Sequence, residues 1–265
     1  MNYWWEIQTT TRDPEKSEEL DVSIVIPTYG IEPALPSTIE ETVRSIQPYH
    51  LSFEILIVHT PFRDSLQRMQ NLEQRFAPVL RLIVERRRGY GLAFMTGFRL
   101  SRGRVIATLD ADLTYPADQI GRLYSLLVES HLDFINTNRF KEHEAGAFRW
   151  QNYIGNGLLA LITNTLFRTP FNDSQSGMWV FKKSIWKDLR CYGRHMEFSS
   201  EIKIEASQKH LRCAEVPVFF RRRRAGESRN SVKEGLKIAL YIFAERVGLA
   251  RRFSTVLRRS TTGAK

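Results

Sequence analysis

Val22-Ser-Ile-Val-Ile26, closed by Pro27, and Phe53-Glu-Ile-Leu-Ile-Val58 are two short runs apolar enough to be buried on both faces, as the strands of a parallel sheet are. Between them Pro36 and Ser37 open a segment in which Ile39, Val43 and Ile46 recur at spacings of four and three. That is the period of a helix, so the stretch reads as a β-α-β unit. The alternation continues with helix-like 64–76, strand-like 79–84, helix-like 91–101, strand-like 104–109, helix-like 117–130 and strand-like 132–136. It predicts an α/β fold, a Rossmann-like and mostly parallel sheet with helices on both faces. Past residue 140 a polar loop, a long helix near 150–167 and a strand over 213–220 complete the same domain.

At the other end of the chain Val232, Leu236, Ala239, Leu240, Phe243, Val247 and Ala250 recur at spacings of three and four among Lys233, Lys237, Arg246 and Arg251. This predicts a C-terminal basic amphipathic helix, either a membrane-surface helix or a core helix with a basic outer face. The expected organisation is an N-terminal extension over 1–20, an α/β domain over 21–230 and a basic helical tail over 231–265.

The 265 residues, 42% hydrophobic and 26% charged, are those of an ordinary globular chain and exclude disorder or a collagen-like repeat. Two cysteines, Cys191 and Cys213, are too few for a disulfide scaffold and lack the spacing of a zinc site, which points to a reducing compartment. No window of 18 apolar residues and no signal-like N-terminus is present, so a soluble, unsecreted protein is expected. Residues 221–265 carry 13 Lys or Arg against 3 Asp or Glu, and that excess equals the whole net charge of +10. A neutral body with a basic tail suits an anionic partner: phospholipid head groups, nucleic acid or a phosphorylated substrate. His59, His131, His195 and His210 show no metal-ligand spacing and read as core or surface residues.

The chemistry is concentrated where the strand over 104–109 ends in Asp110-Ala-Asp112. Ligands bind at the carboxyl ends of strands in such sheets. Two carboxylates at i and i+2 of an extended segment face one way, and hard oxygen ligands so placed suit Mg²⁺ or Mn²⁺ gripping a diphosphate. The alternative is an acidic cap ahead of Pro116. Gly89, Gly91 and Gly97 form either a phosphate-binding loop or tight, close-packed turns. Glu201, with Glu197 four residues before it, is either a solvated acidic face or a site residue. The arginine runs 86–88 and 221–224 read as solvated charge, Arg223 excepted.

Taken in order, Ser23-Ile-Val-Ile-Pro-Thr-Tyr29, Gly89-Tyr-Gly-Leu-Ala-Phe-Met-Thr-Gly97 and Asp110-Ala-Asp-Leu-Thr-Tyr-Pro116 resemble the inverting family 2 glycosyltransferases of GT-A fold. Asn138-Arg-Phe140, Asp173-Ser-Gln-Ser-Gly-Met-Trp-Val-Phe181, Glu197-Phe-Ser-Ser-Glu201 and the segment Glu215 to Arg229 resemble the dolichol-phosphate mannosyltransferases among them. The resemblance spans about residues 21–230. It implies that Asp110 and Asp112 hold the metal, and that Pro27, Tyr29, Gly89, Asp110, Arg223 and Arg229 bind the nucleotide sugar. It also implies that Arg139 and Arg149 hold the acceptor phosphate, and that Asp112, Arg223 and Asp173 are catalytic. The implied partners are a nucleotide-sugar donor, a polyprenyl phosphate acceptor, the cytoplasmic face of a membrane as a peripheral docking surface, and a membrane-anchoring partner subunit.

Three features depart from that pattern. Val58-His-Thr-Pro61 replaces Asp-Asp-Gly-Ser, whose acid helps to read the base. Thr114 stands where the mannose branch has glutamine, and the amphipathic tail stands where many relatives have transmembrane helices. A phosphate monoester acceptor, with its second pKa near about 6, needs no general base. The first alternative is a hydroxyl acceptor on a glycan or glycolipid, which needs a carboxylate base. The second is a basic nucleic-acid-binding protein, which the sequence supports by charge alone, with no recognised nucleic-acid motif.

Overall fold

The protein, described from a computed structural model, is resolved in detail over residues 7–9, 19–224 and 232–250. One sheet of eight strands organises it, in the order β1-β4-β3-β2-β5-β7-β6-β8. These strands are β1 (Ile7–Thr9), β2 (Leu20–Tyr29), β3 (Phe53–Thr60), β4 (Leu80–Glu85), β5 (Gly103–Thr108), β6 (Phe134–His143), β7 (Trp179–Lys182) and β8 (Cys213–Phe220). β4, β3, β2 and β5 are mutually parallel, as the apolar runs predict. β1 lies antiparallel on β4, and β7 runs antiparallel between β5 and β6.

β7 has no forerunner in the sequence reading. Only four residues long, it is too short to show a period, and it enters the sheet through its neighbours.

The pleat sorts the core into two layers. Val22, Ile24 and Ile26 of β2 and Ile55 and Ile57 of β3 meet α1 (Leu35–Ile46), α2 (Ser65–Arg75) and α4 (Ile120–Glu129) on one face. Val25, Leu56 and Val58 meet α3 (Tyr90–Leu100), α6 (Lys183–Trp186) and α7 (Phe198–Gln208) on the other. This is why those strands read as continuous apolar runs. The helix expected from 117 begins as one 3₁₀ turn, Ala117–Gln119, before α4. Within that stretch Pro116 leads in and the α-helical period starts only at Ile120.

Two further helices lie beside each other. α5 (Trp150–Phe167) falls where the sequence places it, and α8 (Val232–Arg246) packs on it through Leu159, Ile238 and Ile242. The inward face of α8 is Ile238, Tyr241 and Ile242, whereas of the stripe singled out in the sequence Val232, Leu236, Leu240, Phe243 and Val247 are exposed and Ala239 and Ala250 are not. The helix carries two apolar faces, and its period alone does not say which one the core claims. Among the described residues no helix is long and apolar enough to cross a membrane.

The chain leaves β2 for β3 and β4 on one side, then returns to β5 on the other. That reversal opens a crevice at the carboxyl ends of β2 and β5, the position where α/β sheets bind ligands. Asp110 and Asp112 follow β5 directly into it.

Candidate active site

Asp112 is nearly buried and held from two sides. Its Oδ1 accepts from the Thr114 amide at 3.0 Å and from the Thr114 hydroxyl at 2.6 Å, and its Oδ2 pairs with the Arg223 guanidinium. Thr114, the position that departs from glutamine, therefore acts by orienting Asp112. The turn that allows this puts Leu113 in the left-handed region at φ 62°, a conformation a branched side chain adopts at a cost.

Arg223 is carried there by the segment leaving β8. The Arg221 amide donates to the Thr114 carbonyl at 2.8 Å, and the Arg221 side chain donates to both oxygens of Glu41 at 2.8 and 2.9 Å. Arg221 is thus a clasp rather than solvated charge. Arg229 lies outside the described residues.

Asp110 accepts from the Tyr90 hydroxyl at 3.3 Å. Burial and the neighbouring Asp112 carboxylate push its pKa up to about 7, against the pull of Arg223 and Arg139. Two carboxylates in mutual repulsion are a donor set that a divalent cation relieves, and hard oxygen ligands suit Mg²⁺ or Mn²⁺. Among the described residues no group of three or more His, Cys, Asp or Glu is placed to hold a metal ion by itself. Gly177 seals the far wall. A Cβ there would stand 2.6 Å from the Tyr90 hydroxyl and 3.4 Å from Asp110 Oδ2, so only glycine leaves both in place.

Arg139 sits where β6 and β8 fall out of register between Asn138 and Glu142, an irregularity that re-aims its side chain. Its Nε and Nη2 donate to the two oxygens of Asp173 at 2.7 Å each. Burial pushes the Asp173 carboxyl up, but the Arg139 guanidinium outweighs it and holds it below the usual range. Asp173, expected to be catalytic, is wholly buried, with both carboxylate oxygens bonded to Arg139. The guanidinium also faces the rings of Phe148 and Phe220 at 5.8 and 5.4 Å.

The loop bearing Asp173 is secured by two residues that sequence reasoning missed. Glu215 accepts from the amides of Asn172 and Asp173 at 2.8 and 3.0 Å and from the side chains of Asn136 and Asn138. Lys203, fully buried, donates to the carbonyls of Ser174 and Ser176 at 2.8 Å each. Its one sequence signal is a lysine flanked directly by Ile202 and Ile204.

The remaining predicted residues are less central. Gly89 and Gly91 pack against the carbonyls of Arg194 and Gly193, where a Cβ would approach to 2.3 Å, so close packing explains both glycines. Pro27 and Tyr29 end β2 at the crevice, and Arg88 lies over the Tyr29 ring at 4.5 Å. Arg149 is exposed at the head of α5, beside a cleft of about 330 Å³ lined by His143, Gly146, Phe148, Trp150, Tyr153 and Ile154. Glu201 is not part of a solvated face. It is buried and accepts from the amides of Tyr192 and Gly193 and from the Tyr241 hydroxyl.

Residues 23–189 match the family described as glycosyl transferase family 2. Among curated relatives, the chain is 25% identical over 229 residues to the low-salt glycan biosynthesis hexosyltransferase Agl6 of Haloferax volcanii, covering 86% of this chain and 54% of that protein. It is 32% identical over 213 residues to an undecaprenyl-phosphate 4-deoxy-4-formamido-L-arabinose transferase of Pseudomonas syringae, covering 79% and 60%. The chain therefore spans little more than half the length of either. Among solved structures, glucosyl-3-phosphoglycerate synthase of Mycobacterium tuberculosis, in complex with Mn²⁺, UDP and its product, superposes with a TM-score of 0.62 at 16% identity, covering 87% of this chain and 81% of that one. Mannosyl-3-phosphoglycerate synthase of Rubrobacter xylanophilus gives 0.63 at 18%, covering 93% and 76%. At such identities the likeness establishes the shared GT-A architecture.

Proposed function

The chain belongs to glycosyl transferase family 2, and we propose that it transfers a hexose, with inversion, from a GDP- or UDP-sugar to a polyprenyl phosphate, making a lipid-linked sugar. The observation that carries this reading is that, among the described residues, the three carboxylates placed at the crevice each have a partner. Asp112 is bound by Thr114 and Arg223, Asp110 by Tyr90, and Asp173 by Arg139. None is placed as a free general base. A hydroxyl acceptor needs one, whereas a phosphate monoester, largely ionised near neutrality, does not.

In this scheme Asp110 and Asp112 hold Mg²⁺ or Mn²⁺, which when bound supplies charge to stabilise the departing nucleoside diphosphate. Arg223, released from Asp112 as donor binds, neutralises diphosphate oxygens through charge-assisted bonds. Arg139 and Arg149 draw the acceptor phosphate toward the anomeric carbon against the repulsion of two anions. Proximity and fixed charge then supply most of the barrier reduction.

Peripheral docking at the cytoplasmic face of a membrane belongs to the same proposal. Its support is the pair of adjacent helices, α5 exposing Trp150, Ile154, Leu158 and Leu161, and α8 exposing Leu236, Leu240 and Phe243 beside Lys233 and Lys237. An apolar surface edged by cations fits anionic lipid. The free thiols Cys191 and Cys213 fit a reducing compartment. A partner subunit remains a proposal resting on the family alone.

The test is sugar transfer into an organic-extractable product by the full-length protein, with polyprenyl phosphate and a panel of labelled GDP- and UDP-sugars. A labelled lipid that is lost with EDTA and with Asp112→Asn is the expected result. Transfer to free glycans without any lipid phosphate would replace this reading with that of a hydroxyl acceptor.

A further inference from the structure

Residues 172–177 touch both halves of the crevice. Near their start the Asp173 carboxylate holds the Arg139 guanidinium through two bonds of 2.7 Å. At their end Gly177 stands against Tyr90 and Asp110, and it is fixed there by its own partners. Its amide donates to the Tyr115 hydroxyl at 2.6 Å, and its carbonyl accepts from the Thr108 hydroxyl at 2.8 Å.

The middle of the segment rests on Lys203 of α7, whose side chain is fully buried. Its Nζ lies 5.3 Å from the centre of the Trp179 ring and donates to the Ser174 and Ser176 carbonyls at 2.8 Å each. From the other side Glu215 accepts from the Asn172 and Asp173 amides. A cation on the carbonyls and an anion on the amides fix the peptide planes between them, and with them the direction in which Asp173 projects. Burying an ammonium carries a desolvation cost that an apolar side chain of the same length avoids, so packing alone does not account for lysine here.

We propose that Lys203 is a positioning residue for acceptor capture: by tying down the Ser174 and Ser176 carbonyls it aims Asp173, and through Asp173 the Arg139 guanidinium, at the acceptor phosphate. The inference rests on the reading of Arg139 as a ligand of that phosphate. Its consequence is a split between the two substrates. Gly177 keeps its anchors on Thr108 and Tyr115, and Asp112 is held by Thr114, so the donor side does not depend on the ammonium.

The experiment is calorimetric titration of the full-length protein with farnesyl phosphate, and separately with UDP and GDP in the presence of Mn²⁺. Lys203→Met should weaken farnesyl phosphate by about tenfold, the loss that one misaligned charge-assisted bond produces, and leave nucleotide affinity within about twofold. Lys203→Gln, which keeps N–H donors on a shorter arm, should lose less, and it carries the test if the methionine variant does not fold. In an Arg139→Lys background the fork onto Asp173 is already lost, so Lys203→Met should cost no more than about twofold further. Unchanged farnesyl phosphate affinity in both Lys203 variants, an equal loss of nucleotide, or a loss of about tenfold again in the Arg139→Lys background would overturn the proposal and leave Lys203 a packing residue. Unsubstituted protein that binds nucleotide but no farnesyl phosphate would overturn the acceptor reading, and this proposal with it.

Discussion

The Tyr241 hydroxyl donates to Glu201 Oε1 at 2.5 Å, joining α8 to α7 in the buried interior. Burial pushes Glu201 up to about 8, against three hydrogen-bond donors, and pushes the nearby Glu245 up to about 7. Both lie above the ordinary value of 4.5, so the folded protein keeps protons that the unfolded chain releases. Stability from this cluster is therefore full below about pH 4.5, falls as pH rises toward about 8, and levels off above it. Melting temperatures measured across that window should decline with pH, and Glu201→Gln should flatten the decline. A slope unchanged in Glu201→Gln would remove Glu201 as its source.

Arg139 and Asp173 form a buried bidentate pair, so truncating one partner strands the other. Asp173→Ala or Arg139→Leu should each cost about 3–5 kcal/mol, read by urea denaturation. The double variant should cost less than the sum, since it leaves no uncompensated charge. Additive losses would mean the two act separately.

Gly177→Ala forces a methyl group onto the Tyr90 hydroxyl at a distance of 2.6 Å. Turnover should fall by about tenfold or more as Tyr90 is driven from Asp110. Tyr90→Phe should reproduce part of the loss, without the steric insult to folding. Kinetics of the two variants beside their melting temperatures separates displacement of Asp110 from general destabilisation.

Thr114→Val keeps the shape of the turn and removes the hydroxyl on Asp112. A neutral donor to a charged acceptor is worth about 1.5–3 kcal/mol, so activity should drop by roughly one to two orders of magnitude. Thr114→Ser should retain most of it. Equal activity in the valine variant would show that the backbone amide alone orients Asp112.

Leu236→Glu and Phe243→Glu place charge on the outward stripe of α8, away from Ile238 and Ile242. Co-sedimentation with vesicles containing anionic lipid should fall by at least about fivefold, while the melting temperature stays within a few degrees. Binding that survives both substitutions would assign membrane contact elsewhere.

Much of this architecture is written in the chain because the parallel strands are apolar on both faces, as Val22 to Ile26 and Phe53 to Val58 are, and because Asp110 and Asp112 follow such a strand. What escaped is set by tertiary partners. Arg221 and Lys203 have ordinary local contexts, and each acquires its role from a residue distant in sequence or from backbone carbonyls. α8 shows the same limit, since two apolar faces compete and only the packing of α5 and α7 chooses between them.

The Arg221–Glu41 pair joins residues 180 positions apart, two residues before the arginine that reaches Asp112. During synthesis every strand of the sheet can leave the ribosome before either arginine does. Completion of the sheet and formation of the Asp112 ion pair are thus separate events in the life of a nascent molecule, and a polypeptide stopped at Phe220 would retain Asp110 and Asp112 but lack the guanidinium paired with Asp112.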